Sequence, residues 1–573
     1  MTSARATESR WARPVLGRAR RWLGSSCVFA ALGFGVVLRA PAVEPEAPAA
    51  SGVAQRAVAS ESREASREAM AVLRAGGTAA DAAVVAALVA GVTHPSSSGI
   101  GGGGFVLAWD GAKKQPFIID FRETAPSGIE VAPFEKRPFA REERGRAVGV
   151  PGELRGLFEL HKRAGKLRWA DLVGRAERVA RQGFAVSPHL HALLGWVEDR
   201  LVPDPHYAAL YFPGGKAVAV GARVRNPVLA DTLARVAAQG PDALYRGEVA
   251  AELARVVGEH GGQLSVEDLA AYQPIERAAL RTRFSGYDVY TMPAPSAGGL
   301  MLGQVLRLYS PDELRRLGHG TPAYQHLLAE GMRGAIADRL RYYGDPQFVG
   351  LDQAALVSDA RMAVRRRSIA LDRTHALPRF GLEEHGTHHL VTADRAGNVV
   401  SLTTTVNTPF GAKLLAPASG VTLNDELTDF TTVESVAPFG MTESPNRPRP
   451  GARPVSSMAP TIVVERGRPV LALGGSGGTT IGPNVTQVLL GSLVFDQSPL
   501  EAVSKPRIEV PTQGATIALP PETPAAHVAD LEARGEIVGK IRFNGSAVQV
   551  VRFDGPRVEA AADPRKHGSA LVE

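Results

Sequence analysis

Two runs rich in β-branched residues face each other across a short polar break, and this pattern constrains the fold of the chain more than any other. "THHLVTA" (387–393) and "VVSLTTTV" (399–406) flank "DRAGN" (394–398), where Gly397 and Asn398 supply hairpin turn chemistry. Side chains alternate along a strand, so a turn centred near Ala396 sets Thr387 opposite Thr405. The same alternation bears on the histidines that crowd the start of the hairpin. His388 and His389 point to opposite faces, and only His385 shares a face with His389 and Thr387. A metal site needs three or four ligands converging on one point, and no acidic cluster lies nearby in sequence, so ordinary strand histidines are expected rather than metal ligands.

Thr387 raises a different possibility. An internal threonine is a poor nucleophile because it has no base, whereas a threonine at a chain terminus can give its hydroxyl proton to its own α-amine. A cut between Gly386 and Thr387 would create that arrangement. The residues alone leave this reading open beside that of an ordinary strand threonine.

The 573 residues suffice for a large buried core. Residues 1–42 differ from the rest: arginines precede the apolar run "CVFAALGFGVVL" (Cys27 to Leu38), and "RAPAVEPEAPAAS" follows. A basic start, a run too short for an ordinary membrane span and a small-residue exit describe a secretory signal, with Arg20-Arg21 compatible with twin-arginine export. The expected location is periplasmic or extracellular, with membrane retention through an uncleaved N-terminal segment as the alternative. This segment carries seven arginines and one glutamate, net +6 of the chain's +7, which leaves +1 for the remainder. Nucleic-acid binding thereby loses its electrostatic support. Cys27 is the only cysteine, so a mature chain would have no thiolate chemistry and no disulfide.

Beyond the signal, "ASREAMAVLRAGGTAADAAVVAALVAGVTHP" reads as two helices around a Gly-Gly break, ending before Pro95. "GGGGFVLAWD" and "FIIDFRETAP" read as strands, residues 153–345 as mainly helical, and 361–386 as basic, irregular and exposed. From Thr387 strands dominate, broken by the helix-like "NVTQVLLGSLVF". Neither "GIGGGGF" nor "GGSGGTT" carries the Gly-Lys-Ser/Thr of a phosphate loop.

Many segments, in order, resemble the γ-glutamyltranspeptidase (glutathione hydrolase) family of N-terminal-nucleophile hydrolases: "GGTAADAAVVAALVAGVTHPSSSGIGGGGF", "IDFRETAP", "GVPGELRGL", "MPAPSAGG", "THHLVTADRAGNVVSLTTTVNTPFG", "SGVTLNDELTDF", "RPVSSMAPTIV", "GGSGGTTI" and "ADPRKHG". The resemblance implies an α+β fold, a four-layer αββα sandwich of the N-terminal-nucleophile hydrolase type. It implies a proenzyme cut at Gly386-Thr387 into a large subunit (43–386) and a small catalytic subunit (387–573) that stay associated in one interleaved fold. Thr387 then aligns with the nucleophile and Thr405 with the threonine that hydrogen-bonds it. Gly477 and Gly478 align with the oxyanion-hole glycines, Arg122, Ser456 and Ser457 with groups that hold the substrate α-carboxylate, and Asn407, Glu426 and Asp429 with those around its α-amine. The implied substrates are glutathione and related γ-glutamyl compounds, with water, an amino acid or a dipeptide as acceptor, and no metal or organic cofactor is expected.

Two departures stand out. His388 follows the nucleophile where the family has a small residue or a threonine, while His389 keeps the family's histidine. Residues 431–455 are long enough for the lid loop of some members, with Phe439 as the candidate lid aromatic. The rival readings are a glutaryl-type β-lactam acylase of the same superfamily and an unprocessed, inactive relative that serves as a binding protein.

Overall fold

The hairpin occupies the middle of a seven-stranded antiparallel sheet. In order, Ser569–Val572, Ala57–Ser60, Gly386–Ala393, Val399–Asn407, Gly103–Asp110, Gln115–Asp120 and Ile275–Arg277 lie side by side. A second antiparallel sheet holds Ala49–Val53, Arg557–Ala562, Ala547–Asp554, Arg468–Ser476, Thr461–Glu465, Tyr287–Thr291 and Leu280–Phe284. This computed structural model describes residues 47–136, 138–375, 386–511, 514–541 and 545–573, so residues 1–42, read above as a secretory signal, with Cys27, and His385 lie outside the described residues. Among the described residues no helix is long and apolar enough to cross a membrane.

Strand alternation sorts the side chains into layers. Leu390, Val400 and Leu402 join a core with the helices Arg63–Arg74, Ala79–Thr93, Glu153–Ala164 and Trp169–Gln182. Val391, Ala393 and Val399 face the other way and pack on Leu471, Leu473, Val548 and Val550 of the second sheet. Beyond that sheet lie the helices Gly298–Leu308, Pro322–Tyr342 and Ile481–Val494, which completes a helix–sheet–sheet–helix sandwich. The helix Ala79–Thr93 is buried on nearly every side, as its sequence of small residues allows. Its start is fixed by a capping box between Thr78 and Asp81, and Asp81 also accepts from the backbone of Lys166 and Leu167.

Two expectations need correction. The arginine-rich stretch read as irregular contains the helix Asp359–Ser368, capped by Ser358. Its polar residues conceal the period because they are used inward: Arg361 and Arg365 both bond Asp338 on the neighbouring helix. Within the region read as mainly helical, Leu280–Phe284 and Tyr287–Thr291 form a hairpin. Ser285 and Gly286, at φ 52° and 87°, supply the left-handed pair that such a two-residue turn requires.

Candidate active site

Thr387 faces Thr405 in the observed register, as the turn chemistry predicts, with a shift between Gly386 and Thr387 that sets Gly386 opposite Asn407. The two hydroxyl oxygens are 3.4 Å apart. The Thr405 hydroxyl donates to the carbonyl oxygen of Gly386 and accepts from the backbone N–H of Asn407 at 2.8 Å. The single hydroxyl hydrogen of Thr405 is thus committed to Gly386, and the Thr387 hydroxyl is left to donate to the Thr405 oxygen. All three groups are buried.

The histidines divide as strand geometry requires. His389 lies between the sheets, with Nδ1 2.8 Å from Thr403 Oγ1 and Nε2 3.3 Å from Ser401 Oγ. It rests on Gly474, where an added Cβ would come within 2.2 Å of the ring. His388 points to the helical side, 3.1 Å from Ser60 Oγ and beside His94. Burial, reinforced by the Lys566 ammonium, lowers His388 to about 3, so it is neutral at pH 7. Three metal-ligand side chains do converge elsewhere, His326, Glu330 and Glu536. Arg333 bonds Glu536 at 2.8 and 3.0 Å and also bonds Glu330, which makes this a buried ion-pair network.

The other predicted site residues are linked to the threonine pair by short steps. The Asn407 side chain, on a residue at φ 73°, donates to the carbonyl of Asp425, the neighbour of Glu426. Glu426 and Asp429 both bond the guanidinium of Arg122, Asp429 at 2.5 Å, and all three are at most 3% exposed. Arg122 also donates to the carbonyl of Pro454, which leads into Ser456 and Ser457. Ser457 accepts from Arg339, and the Ser456 hydroxyl accepts from the backbone N–H of Met458. Gly477 and Gly478, at φ 121° and 61°, form a left-handed pair at the end of the strand Arg468–Ser476. A Cβ at Gly477 would lie 2.7 Å from the Ser546 Cβ, so the turn excludes other residues both by conformation and by space. Phe439 ends a short helical turn in a mostly exposed stretch.

Four participants escaped sequence reasoning. Glu123, beside Arg122, is fully buried, and desolvation raises it to about 8 against the opposing pull of Arg122, so it carries a proton at neutral pH. Burial raises Glu426 in the same way, again opposed by Arg122. Glu153 accepts from Thr404 and is raised well above the usual carboxylate range by desolvation. Glu61 and Lys566 meet behind Thr387 at 3.0 Å. A signal existed for Lys566 in "ADPRKHG", but none marks Glu61, which precedes an ordinary helix cap.

The family model for γ-glutamyltranspeptidase matches residues 65–573. The chain belongs to the γ-glutamyltranspeptidase family. Two curated relatives are similar over nearly their full length. The glutathione hydrolase proenzyme of Pseudomonas aeruginosa is 34% identical over 568 residues, covering 95% of this chain and 99% of the relative. That of Escherichia coli K12 is 31% identical over 564 residues, covering 94% and 96%. Among solved structures, the γ-glutamyltranspeptidase of Helicobacter pylori is 30% identical with a TM-score of 0.51, covering 55% of this chain and 91% of that one. A cephalosporin acylase from Bacillus halodurans shares the fold, with a TM-score of 0.80 at 24% identity over 91% of this chain and 96% of that one. The chain is therefore an enzyme with the N-terminal-nucleophile hydrolase fold, and the acylase likeness extends to the fold alone.

Proposed function

We propose that this chain is made as a proenzyme, cuts itself between Gly386 and Thr387, and then transfers γ-glutamyl groups from glutathione and related amides to water, an amino acid or a peptide amine. The observation that carries this reading is the bond of the Thr405 hydroxyl to the Gly386 carbonyl, with the Thr387 hydroxyl 3.4 Å from the Thr405 oxygen. Thr387 Oγ attacks the Gly386 carbonyl carbon and passes its proton to Thr405, while Thr405 gives its own to the carbonyl oxygen. Collapse of the adduct breaks the C–N bond, passes the proton of the adduct's hydroxyl to the departing nitrogen and leaves an ester between Gly386 and Thr387 Oγ with the Thr387 α-amine free; water then hydrolyses the ester, releasing the Gly386 carboxylate and the Thr387 hydroxyl. That amine is the base of the mature enzyme.

In turnover Thr387 attacks the γ-glutamyl carbonyl, and the backbone N–H groups of Gly477 and Gly478 receive the developing negative charge. The amine departs and leaves an acyl-enzyme, which water or an acceptor amine resolves. The substrate's α-carboxylate binds Arg122, Ser456 and Ser457, and its ammonium binds Asn407, Glu426 and Asp429. A zwitterion suits a guanidinium already set against two carboxylates, since each of its charges meets its opposite. The N-terminal segment directs export and is removed, and the two chains remain together through the shared core.

The test is a denaturing gel with N-terminal sequencing, followed by hydrolysis of γ-glutamyl and glutaryl anilides. Two chains with Thr387 at one terminus and a preference for the γ-glutamyl compound are expected. A single uncut chain without hydrolysis would refute the proposal, and a preference for the glutaryl compound would favour the acylase.

A further inference from the structure

Lys566 lies on the crossover between the strand Arg557–Ala562 of one sheet and Ser569–Val572 of the other, and it is 2% exposed. Its ammonium donates to the carbonyl oxygen of Thr387 at 3.0 Å, to Ser476 Oγ at 2.6 Å and to Glu61 Oε2 at 3.0 Å. The other oxygen of Glu61 accepts from the backbone N–H of His389 at 3.1 Å and from Gln549 at 3.4 Å. Three donors thus meet three acceptors, as a buried ammonium requires.

The partners belong to different parts of the reaction. Thr387 is on one sheet, whereas Ser476 ends a strand of the other and directly precedes Gly477-Gly478. Apart from the bond of the Ser401 hydroxyl to the Leu473 carbonyl at 3.0 Å, the sheets meet mainly through apolar contacts, which are non-directional and tolerate small sliding. An oxyanion donor, in contrast, must sit within about 2.7–3.1 Å of the oxygen it stabilises. A buried ion pair is often no more stabilising than apolar residues of the same volume, so stability alone is a weak reason for this lysine.

We infer that Lys566, held by Glu61, is a positioning residue that sets Thr387 against the Gly477-Gly478 turn across the gap between the sheets. The inference rests on the proposed chemistry at Thr387. It assigns Lys566 no contact with substrate: Arg122, Asp429 and Ser456 bond other groups.

The test uses the full-length chain with Lys566→Met, the double variant Glu61→Gln/Lys566→Met, which avoids a buried unpaired carboxylate, and Ser476→Ala, which leaves the ion pair intact. Cutting is followed by gel and mass, kcat and KM with γ-glutamyl-p-nitroanilide, and the folded fraction by thermal unfolding. For the first two, kcat per folded site is expected to fall about 100-fold with KM within about threefold of wild type, and Ser476→Ala is expected to lose about tenfold in kcat. Wild-type kcat in Ser476→Ala and in either lysine variant would overturn the inference, as would a loss confined to the folded fraction. If wild type cuts but does not hydrolyse the anilide, the proposed function fails, and Lys566 is judged on the cut: at least about tenfold slower without it supports its role, an unchanged rate refutes it. A wild-type chain that does neither refutes both.

Discussion

Thr405 donates its hydroxyl hydrogen to the carbonyl oxygen of Gly386, on the carbon that is bonded to the nitrogen of Thr387. Replacing Thr405 with valine keeps the volume and the β-branch and removes that donor. The cut is expected to slow about 100- to 1,000-fold, the usual cost of one oxyanion donor. Intact precursor should accumulate in a time course on a denaturing gel, and cutting at the wild-type rate would show that the hydroxyl is not needed.

Thr387→Ala removes the attacking oxygen itself. A single chain and no γ-glutamyl hydrolysis are expected, whereas wild type should give chains of about 36 and about 20 kDa, in proportion to 60.5 kDa for 573 residues. Mass spectrometry of the small chain should begin at Thr387.

Arg122 is bonded to Glu426 and Asp429 and to neither Gly386 nor Thr387. Arg122→Lys keeps the charge but loses the two-pronged grip, so cutting should proceed while KM for a γ-glutamyl anilide rises about 10- to 100-fold. Arg122→Ala should also destabilise by about 3–5 kcal/mol, because two buried carboxylates lose their cation. Steady-state kinetics and urea unfolding separate the two effects.

Glu123, raised to about 8, binds its proton more tightly in the folded chain than in the unfolded one, where its value is near 4.5. It therefore contributes stability that is complete below about 4.5 and lost as pH climbs to about 8. Glu123→Gln should abolish that component. The melting temperature of the variant relative to wild type should rise steadily across this window, and a constant difference would show that Glu123 is already ionised.

His388 points away from the scissile bond towards Ser60, Glu61 and His94. His388→Thr, which replaces the imidazole with a small hydroxyl side chain, is expected to change the cutting rate by less than about fivefold and to cost about 1–3 kcal/mol through the partners left unsatisfied. A large change in rate, measured by the same time course, would assign the imidazole a part in the cut.

Much of the strand that carries Thr387 was legible beforehand because a hairpin is local. Turn residues and two-residue periodicity set the register of Thr387 against Thr405 and separated His388 from His389. Gly477 and Gly478 were singled out by motif order alone, and the structure shows the left-handed turn that requires glycine there. The helix Asp359–Ser368 was not legible, because its arginines find their partner, Asp338, on another helix and its few apolar residues form no helical stripe.

The sequence by itself thus determined the strand pairing, the placement of Thr387 opposite Thr405 and the residue types around them, all consequences of short-range geometry or of motif order. Only the tertiary structure decided which charges share a space: that Arg122 stands between Glu426 and Asp429, that Glu123 keeps its proton, and that Lys566 reaches Thr387, Ser476 and Glu61 at once. Those outcomes depend on burial and on distances between segments hundreds of residues apart. No local period in the chain encodes them, because a charge acquires its partners and its proton affinity only when the layers close around it.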